Sequence, residues 1–188
     1  MSPEARGRVA VVRDPLYLRH SNGPWHPESA SRLQAVDEML DSFPLRDRLV
    51  QVPARDASFE ELARVHAPEY IRRIEATQER PLTVLDPDTS ACADSWAAAV
   101  RAAGGLLAAT EACLRGAPAG PGKSAGAAAA PSGAFALVRP PGHHAEAAQA
   151  MGFCLFNSVA VAARHALAAC GLERVLIVDW DVHHGNGT

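Results

Sequence analysis

The sequence is poor in aromatic residues, which make up 5% of it, and has only four cysteines in 188 residues. With few large rings, burial per side chain is modest, and the core must be assembled mostly from aliphatic groups, alanine above all. Cys92, Cys113, Cys154 and Cys170 are widely separated with no C-x-x-C pair. That spacing excludes a disulfide scaffold and a cysteine-based zinc knuckle, and it predicts reduced, mostly buried thiols. No basic cluster or stripe rises above a net charge of -3, so the electrostatic footprint of a direct nucleic-acid binder is missing, while cationic partners stay compatible. Met1 to Arg8 lacks the apolar stretch of a signal peptide, and no apolar run is expected to reach bilayer length. The expectation is a chain with no membrane partner and a cytoplasmic location; the oligomeric state is not legible.

What is present is an ordinary globular composition, 48% apolar and 21% charged, in a length that suits one domain over residues 1–188. Val9 to Val12 reads as a first strand. Leu33, Val36, Leu40 and Phe43 recur at helical spacing, predicting an amphipathic helix from Glu28 to about Phe43. Leu49 to Val52 suits a second strand. Ser58 with Glu61 forms a capping box, and Pro68 opens a further helix. Leu82 to Thr89 reads as loop. Asp94 caps an Ala-rich helix over Ser95 to Leu114, where the pair Gly104-Gly105 predicts a close approach of backbones. Gly116 to Gly133, biased toward Ala, Gly and Pro, reads as a surface connection.

Phe135 to Val138 is a short apolar run that stops at Pro140-Pro141-Gly142, and Val175 to Val178 is another, with a helix capped by Asn157 and stopped at Gly171 between them. Strand, helix and strand predict a βαβ unit of a parallel α/β sheet, whose sites lie beyond the carboxyl ends of the strands. Polar clusters stand at both of those ends. His143 and His144 follow the first. Asp179, Asp181 and His183 begin the second, and period-two alternation puts all three on one side. Two carboxylates and an imidazole gathered at the end of an apolar strand repel one another and lose hydration unless a cation sits among them. Oxygen and nitrogen donors without thiolate suit zinc in an open site, to which Asp181 and His183 would supply two ligands. Imidazoles such as His143 and His144 suit proton transfer to and from a metal-activated water and a leaving group.

Three segments in order, Arg139-Pro140-Pro141-Gly142-His143-His144-Ala145, Met151 to Asn157, and Asp179 to Gly187, resemble the histone deacetylase and acetylpolyamine amidohydrolase family. His26-Pro27-Glu28 with Arg32-Leu33, Val65-His66 with Glu69-Tyr70-Ile71, and Ala102 to Gly105 extend the likeness over nearly the whole chain. The style is closest to class II and bacterial members. The resemblance implies a three-layer, parallel-sheet, arginase/deacetylase-like α/β fold, incomplete at the C-terminus, with the chain forming the N-terminal portion of one such domain. It makes Asp181 and His183 zinc ligands, and His143 and His144 the tandem histidines. Asp179 would hydrogen-bond His143 and help hold a structural potassium ion with Asp181 and the backbone of His183. Asn186 would partner His144, where class I relatives carry Asp, leaving that imidazole less basic. Gly152 and Phe153 would line the acyl-lysine tunnel, and Asp88 matches the acidic residue that grips the substrate backbone.

The implied reaction is hydrolysis of an N-acetyl amide on lysine or a polyamine, in which zinc polarises the carbonyl and lowers the pKa of a coordinated water to about 7. Acid-base help from histidine adds roughly 10² to 10⁴ in rate. A third zinc ligand and a catalytic tyrosine are expected later than Thr188, so this length alone is expected to bind zinc weakly and turn over little. Two alternatives are a non-catalytic module that binds acetylated ligand, metal or a partner, and a different hydrolase of arginase-like architecture. The second would need further Asp-x-His-x-Asp clusters, of which Asp179 to His183 resembles one.

Overall fold

A computed structural model of the chain describes residues 8–42, 44–114 and 131–188. Phe43, at the expected end of the first helix, and residues 116–130 of the Ala/Gly/Pro-rich connection lie outside those residues.

Strand β1, Val9–Val12, is apolar and almost fully buried, and it forms the centre of a three-stranded sheet. Helix α1, Ala30–Ser42, crosses over from β1 to β2, Leu49–Gln51, which pairs with β1 in parallel with Val9 opposite Leu49. Its apolar spacing puts Leu33 into a cluster with Val11 and Tyr17, flanked by Val36 and Leu40. Helix α2, Phe59–Leu62, opens with the Ser58–Glu61 capping box, both halves of which are made, and α3, Pro68–Glu75, begins at Pro68. The hairpin of β3, Leu82–Asp86, and β4, Thr89–Cys92, leads into α4, Ser95–Leu114. The opposite edge of β1 pairs in parallel with β5, Gly133–Ala136, giving the order β2-β1-β5, and α5, Ser158–Ala169, packs on α4. Asn157 accepts the Ala160 N–H as the cap of α5, and Gly171 just beyond its end is left-handed with φ 73°.

The glycine pair of α4 is a point of close approach. A β-carbon on Gly104 would collide with the backbone of Arg55, Asp56 and Ala57, and one on Gly105 would lie 2.5 Å from the Tyr17 hydroxyl. The bare helix surface lets the chain ahead of α2 lie directly against α4. By length and composition alone α4 could cross a membrane, contrary to the expectation that no apolar run reaches that length; more than half of it is buried within the protein, the usual situation of a core helix.

Three other expectations are corrected. Leu82 to Thr89 is not loop but most of an antiparallel hairpin, with Leu82 paired to Cys92 and a tight turn at Pro87-Asp88. The alternation of exposed Leu82 and Val84 with half-buried Thr83 and Leu85 is the period-two signal of a strand with one wet face. The expected buried strand at Phe135 to Val138 starts two residues earlier and lies at the sheet edge among the described residues, leaving Phe135 60% exposed. Val175 to Val178 is extended but joins no ladder, and Leu176 is 86% exposed. A strand exists only by pairing, and here a cleft of about 430 Å³ lined by Phe135, Val138, Ile177 and Val178 separates this segment from β5. The βαβ unit therefore belongs to β1, α1 and β2, not to residues 135–178.

Candidate functional site

The loop that leaves β5 is anchored before it reaches any chemistry. Arg139, 1% exposed, donates to both carboxylate oxygens of buried Glu28, at 2.5 and 2.8 Å, and to the carbonyls of Tyr17 and His20. Burial by itself would raise the Glu28 carboxyl, but the Arg139 hydrogen bonds and charge outweigh it and hold it below the usual range. His20 completes the layer: its Nδ1 donates to Ser95 Oγ at 2.8 Å and its Nε2 accepts from Asn22 at 3.1 Å. Desolvation pushes its pKa down to about 4. Gly142 then passes so close to Phe156 and Ser158 that a β-carbon would meet the Phe156 carbonyl at 2.8 Å, which seats the loop on the start of α5.

His143 and His144 follow, half-buried, with ring centroids 4.1 Å apart. The exposed run from Asp179 folds over them. His143 Nδ1 lies 2.9 Å from Asp179 Oδ2, and the hydrogen bond from His143 holds the Asp179 carboxyl below the usual range. Asp179 Oδ1 accepts the Asp181 N–H at 3.0 Å. Asp181 Oδ1 in turn accepts the His183 N–H at 2.8 Å and lies 3.0 Å from His183 Nδ1, bonds that keep this carboxyl low as well. The His183 ring is 6.1 Å from that of His144. Asp179, Asp181 and His183 thus reach one space with His143 and His144, although the strand expected to align them is not formed.

The second histidine has a neutral partner. His144 Nδ1 lies 2.7 Å from Asn186 Oδ1, while Asn186 Nδ2 donates to Glu146 Oε1 at 2.8 Å. Glu146 accepts only from an N–H, so the Asn186 amide is oriented with its oxygen toward His144, and His144 carries its proton on Nδ1. Asp179 fixes the same tautomer on His143. Both Nε2 atoms are left as proton acceptors.

At the outer edge, Gly152 lies against the His144 ring, where no β-carbon would fit, and it is left-handed. Its N–H donates to Asp88 Oδ1 at 3.1 Å, and the Phe153 N–H donates to Thr89 Oγ1 at 2.9 Å. Asp88 sits exposed in the turn between β3 and β4, and its carbonyl is 3.2 Å from His26 Nε2. His26 packs edge-on to Phe153 at 4.6 Å. Cys154, fully buried behind the site, has its thiol pushed up to about 12 by burial, so it stays protonated and unreactive.

Asp181 and His183 offer an oxygen and a nitrogen donor side by side on an exposed segment, the donor types that an open zinc site uses. Among the described residues, Glu61, Glu111 and His165, on α2, α4 and α5, bring their ligand atoms close enough together to hold a metal ion. The cluster is already satisfied: Arg55 donates to Glu61 at 2.7 and 2.8 Å and to Glu111 at 3.0 Å, so a guanidinium occupies the place of a cation. The Glu28–Arg139 pair is the feature that sequence reasoning passed over. Both residues stood inside recognised segments, but nothing in their spacing of 111 residues announces the contact.

The histone deacetylase domain model matches residues 26–188. The chain is 42% identical over 166 residues to polyamine deacetylase HDAC10 of Mus musculus, covering 85% of this chain and 23% of that protein. It is 37% identical over 198 residues to the histone deacetylase-like amidohydrolase of Pseudomonas aeruginosa, covering 96% of this chain and 49% of that one. Among solved structures, the HDA15 HD domain superposes with a TM-score of 0.84 at 38% identity, over 96% of this chain and 48% of that chain. The chain thus spans about half the length, or less, of these relatives. Its parallel sheet and flanking helices are those of the deacetylase-type α/β fold, and the chain belongs to the histone deacetylase family.

Proposed function

We propose that this chain carries part of the active site of a zinc-dependent deacetylase that hydrolyses N-acetyl amides of lysine or of polyamines. The observation that carries the reading is the convergence of two differently partnered histidines, His143 on Asp179 and His144 on Asn186, beside the Asp181–His183 donor pair. Bound zinc would supply Lewis acidity toward the amide carbonyl and toward water. Asp181 and His183 would hold it. His143 is oriented by the carboxylate of Asp179, whereas His144 is oriented by the neutral amide of Asn186, so the two imidazoles have different partners. One is suited to hold the proton taken from water and the other to deliver a proton to the departing amine. Gly152 and Phe153 would flank the acyl chain, and the free lone pairs of Asp88 would accept from the substrate backbone. A structural potassium ion would find oxygen donors, which hard cations prefer, at Asp179, Asp181 and the His183 carbonyl.

The test is zinc stoichiometry together with acetate release from an acetyl-lysine peptide and from an acetylated polyamine, using this chain and a longer form where the reading frame continues. Zinc uptake with acetate release in either form supports the reading. Zinc uptake without turnover in both moves the assignment to a binding module.

A further inference from the structure

Among the described residues, the non-glycine positions with left-handed backbone are Trp25, at φ 64°, and Phe153, at φ 69°. Such a conformation costs on the order of 1 to 3 kcal/mol in a residue with a β-carbon, and it persists only where the surroundings impose it. The two strained residues meet at one place. Trp25 is bonded to His26, whose ring packs against Phe153 at 4.6 Å, and Phe153 follows the Gly152 that lies on His144. The indole of Trp25 is fully exposed at 101%.

The loop that carries it is fixed on both flanks. Asn22 accepts the Ser90 N–H at 3.0 Å and donates to Glu28, and Glu28 is bound to buried Arg139. His26 accepts the Glu28 N–H at 3.1 Å through Nδ1, and its Nε2 faces the Asp88 carbonyl. An indole on a mobile loop could fold onto the protein; one on a pinned and strained loop stays in water. A rigid exposed Trp offers a large surface for contact at little cost in conformational entropy. The next residue, His26, faces the Asp88 backbone, and Asp88 itself is exposed, so this edge of the protein carries both an indole and a carboxylate, the combination that attracts a cation.

We infer that Trp25 is a specificity-determining residue, which receives an ammonium group carried on the alkyl chain of an acetylated polyamine as that chain passes Phe153. The inference rests on the deacetylase reading above. The test is calorimetric titration of the zinc-loaded protein, in the longer form where the reading frame continues, and of its Trp25→Ala and Trp25→Phe variants with three probes: an N-acetylated diamine, the uncharged N-butylacetamide, and an acetyl-lysine peptide with neutral flanks. A cation–π contact of about 1 to 2 kcal/mol corresponds to roughly 5- to 30-fold in Kd. Trp25→Ala is expected to weaken the diamine by that factor and to leave the uncharged amide and the peptide within about twofold, with Trp25→Phe in between. Equal loss for all three probes, or no loss for any, overturns the role of Trp25. Absence of saturable binding of every probe to the parent chain sinks the deacetylase reading itself, and this inference with it.

Discussion

Two carboxylate–nitrogen pairs stand on either side of the histidine loop, and they differ chiefly in their access to water. Glu28 and Arg139 have side chains 4% and 1% exposed, with every side-chain nitrogen and oxygen of the pair hydrogen-bonded. Asp181 and His183 have side chains 49% and 72% exposed, joined only through Asp181 Oδ1, which meets the His183 N–H and Nδ1. Water makes the second pair nearly worthless for stability, and by the same measure leaves its lone pairs available to a ligand. The buried pair is the converse: it can recruit nothing, and breaking it strands a charge. The contrast separates what holds the loop from what the loop is for.

The hardest test of that contrast is Arg139→Met, which leaves the buried Glu28 carboxylate with only the mostly exposed Arg32 guanidinium, 3.7 Å away, as a cationic partner and is expected to cost about 3 to 5 kcal/mol in urea unfolding. The double change Glu28→Gln with Arg139→Met should recover much of the loss. A single-variant loss under about 1 kcal/mol would show that the pair is not what anchors the loop.

Acid probes the same buried layer. His20 and His66 each use one ring nitrogen as donor and the other as acceptor: His66 Nδ1 faces the Glu146 carbonyl, and its Nε2 accepts the Asn157 N–H at 3.0 Å. Protonation would set an N–H against an N–H. Desolvation pushes both groups down to about 4 in the folded chain, from an ordinary 6.5. Below about pH 6.5 the unfolded state therefore binds protons that the folded state refuses, and stability falls as the pH drops toward 4. Between pH 7 and 5 each histidine should account for roughly 2 kcal/mol, and replacing either by Gln should flatten the profile measured by chemical unfolding.

Gly104→Ala places a methyl against the backbone of residues 55–57 and should lower stability by about 1 to 3 kcal/mol, read as a fall in Tm. The smallest stability effect is expected on the exposed side. Asp181→Asn should change unfolding free energy by less than about 0.5 kcal/mol, yet it should weaken zinc binding at least about tenfold in a chelator competition. A large loss of stability without a change in zinc affinity would erase the distinction between the two pairs.

Much of the frame was readable because it follows from local chemistry. The spacing of Leu33, Val36 and Leu40 makes one face of α1; Ser58 with Glu61 makes a cap; Asn157 and Gly171 bracket α5. The hairpin at Leu82–Cys92 was missed because its alternation is interrupted by Pro87 and Asp88, which read as loop when taken alone. Val175 to Val178 was misjudged for the opposite reason. Apolar, β-branched composition states that a segment can be a strand, whereas pairing depends on which edge lies beside it.

By itself the sequence determined the identity and order of the polar groups of the candidate site, from His143 and His144 to Asp179, Asp181, His183 and Asn186, because residue type and near-neighbour spacing are written in it. Only the tertiary structure decided which of them meet. That Asp179 reaches His143, that Glu146 turns Asn186 toward His144, and that Arg139 closes on Glu28 across 111 residues all depend on non-local packing, whose distances no local pattern encodes.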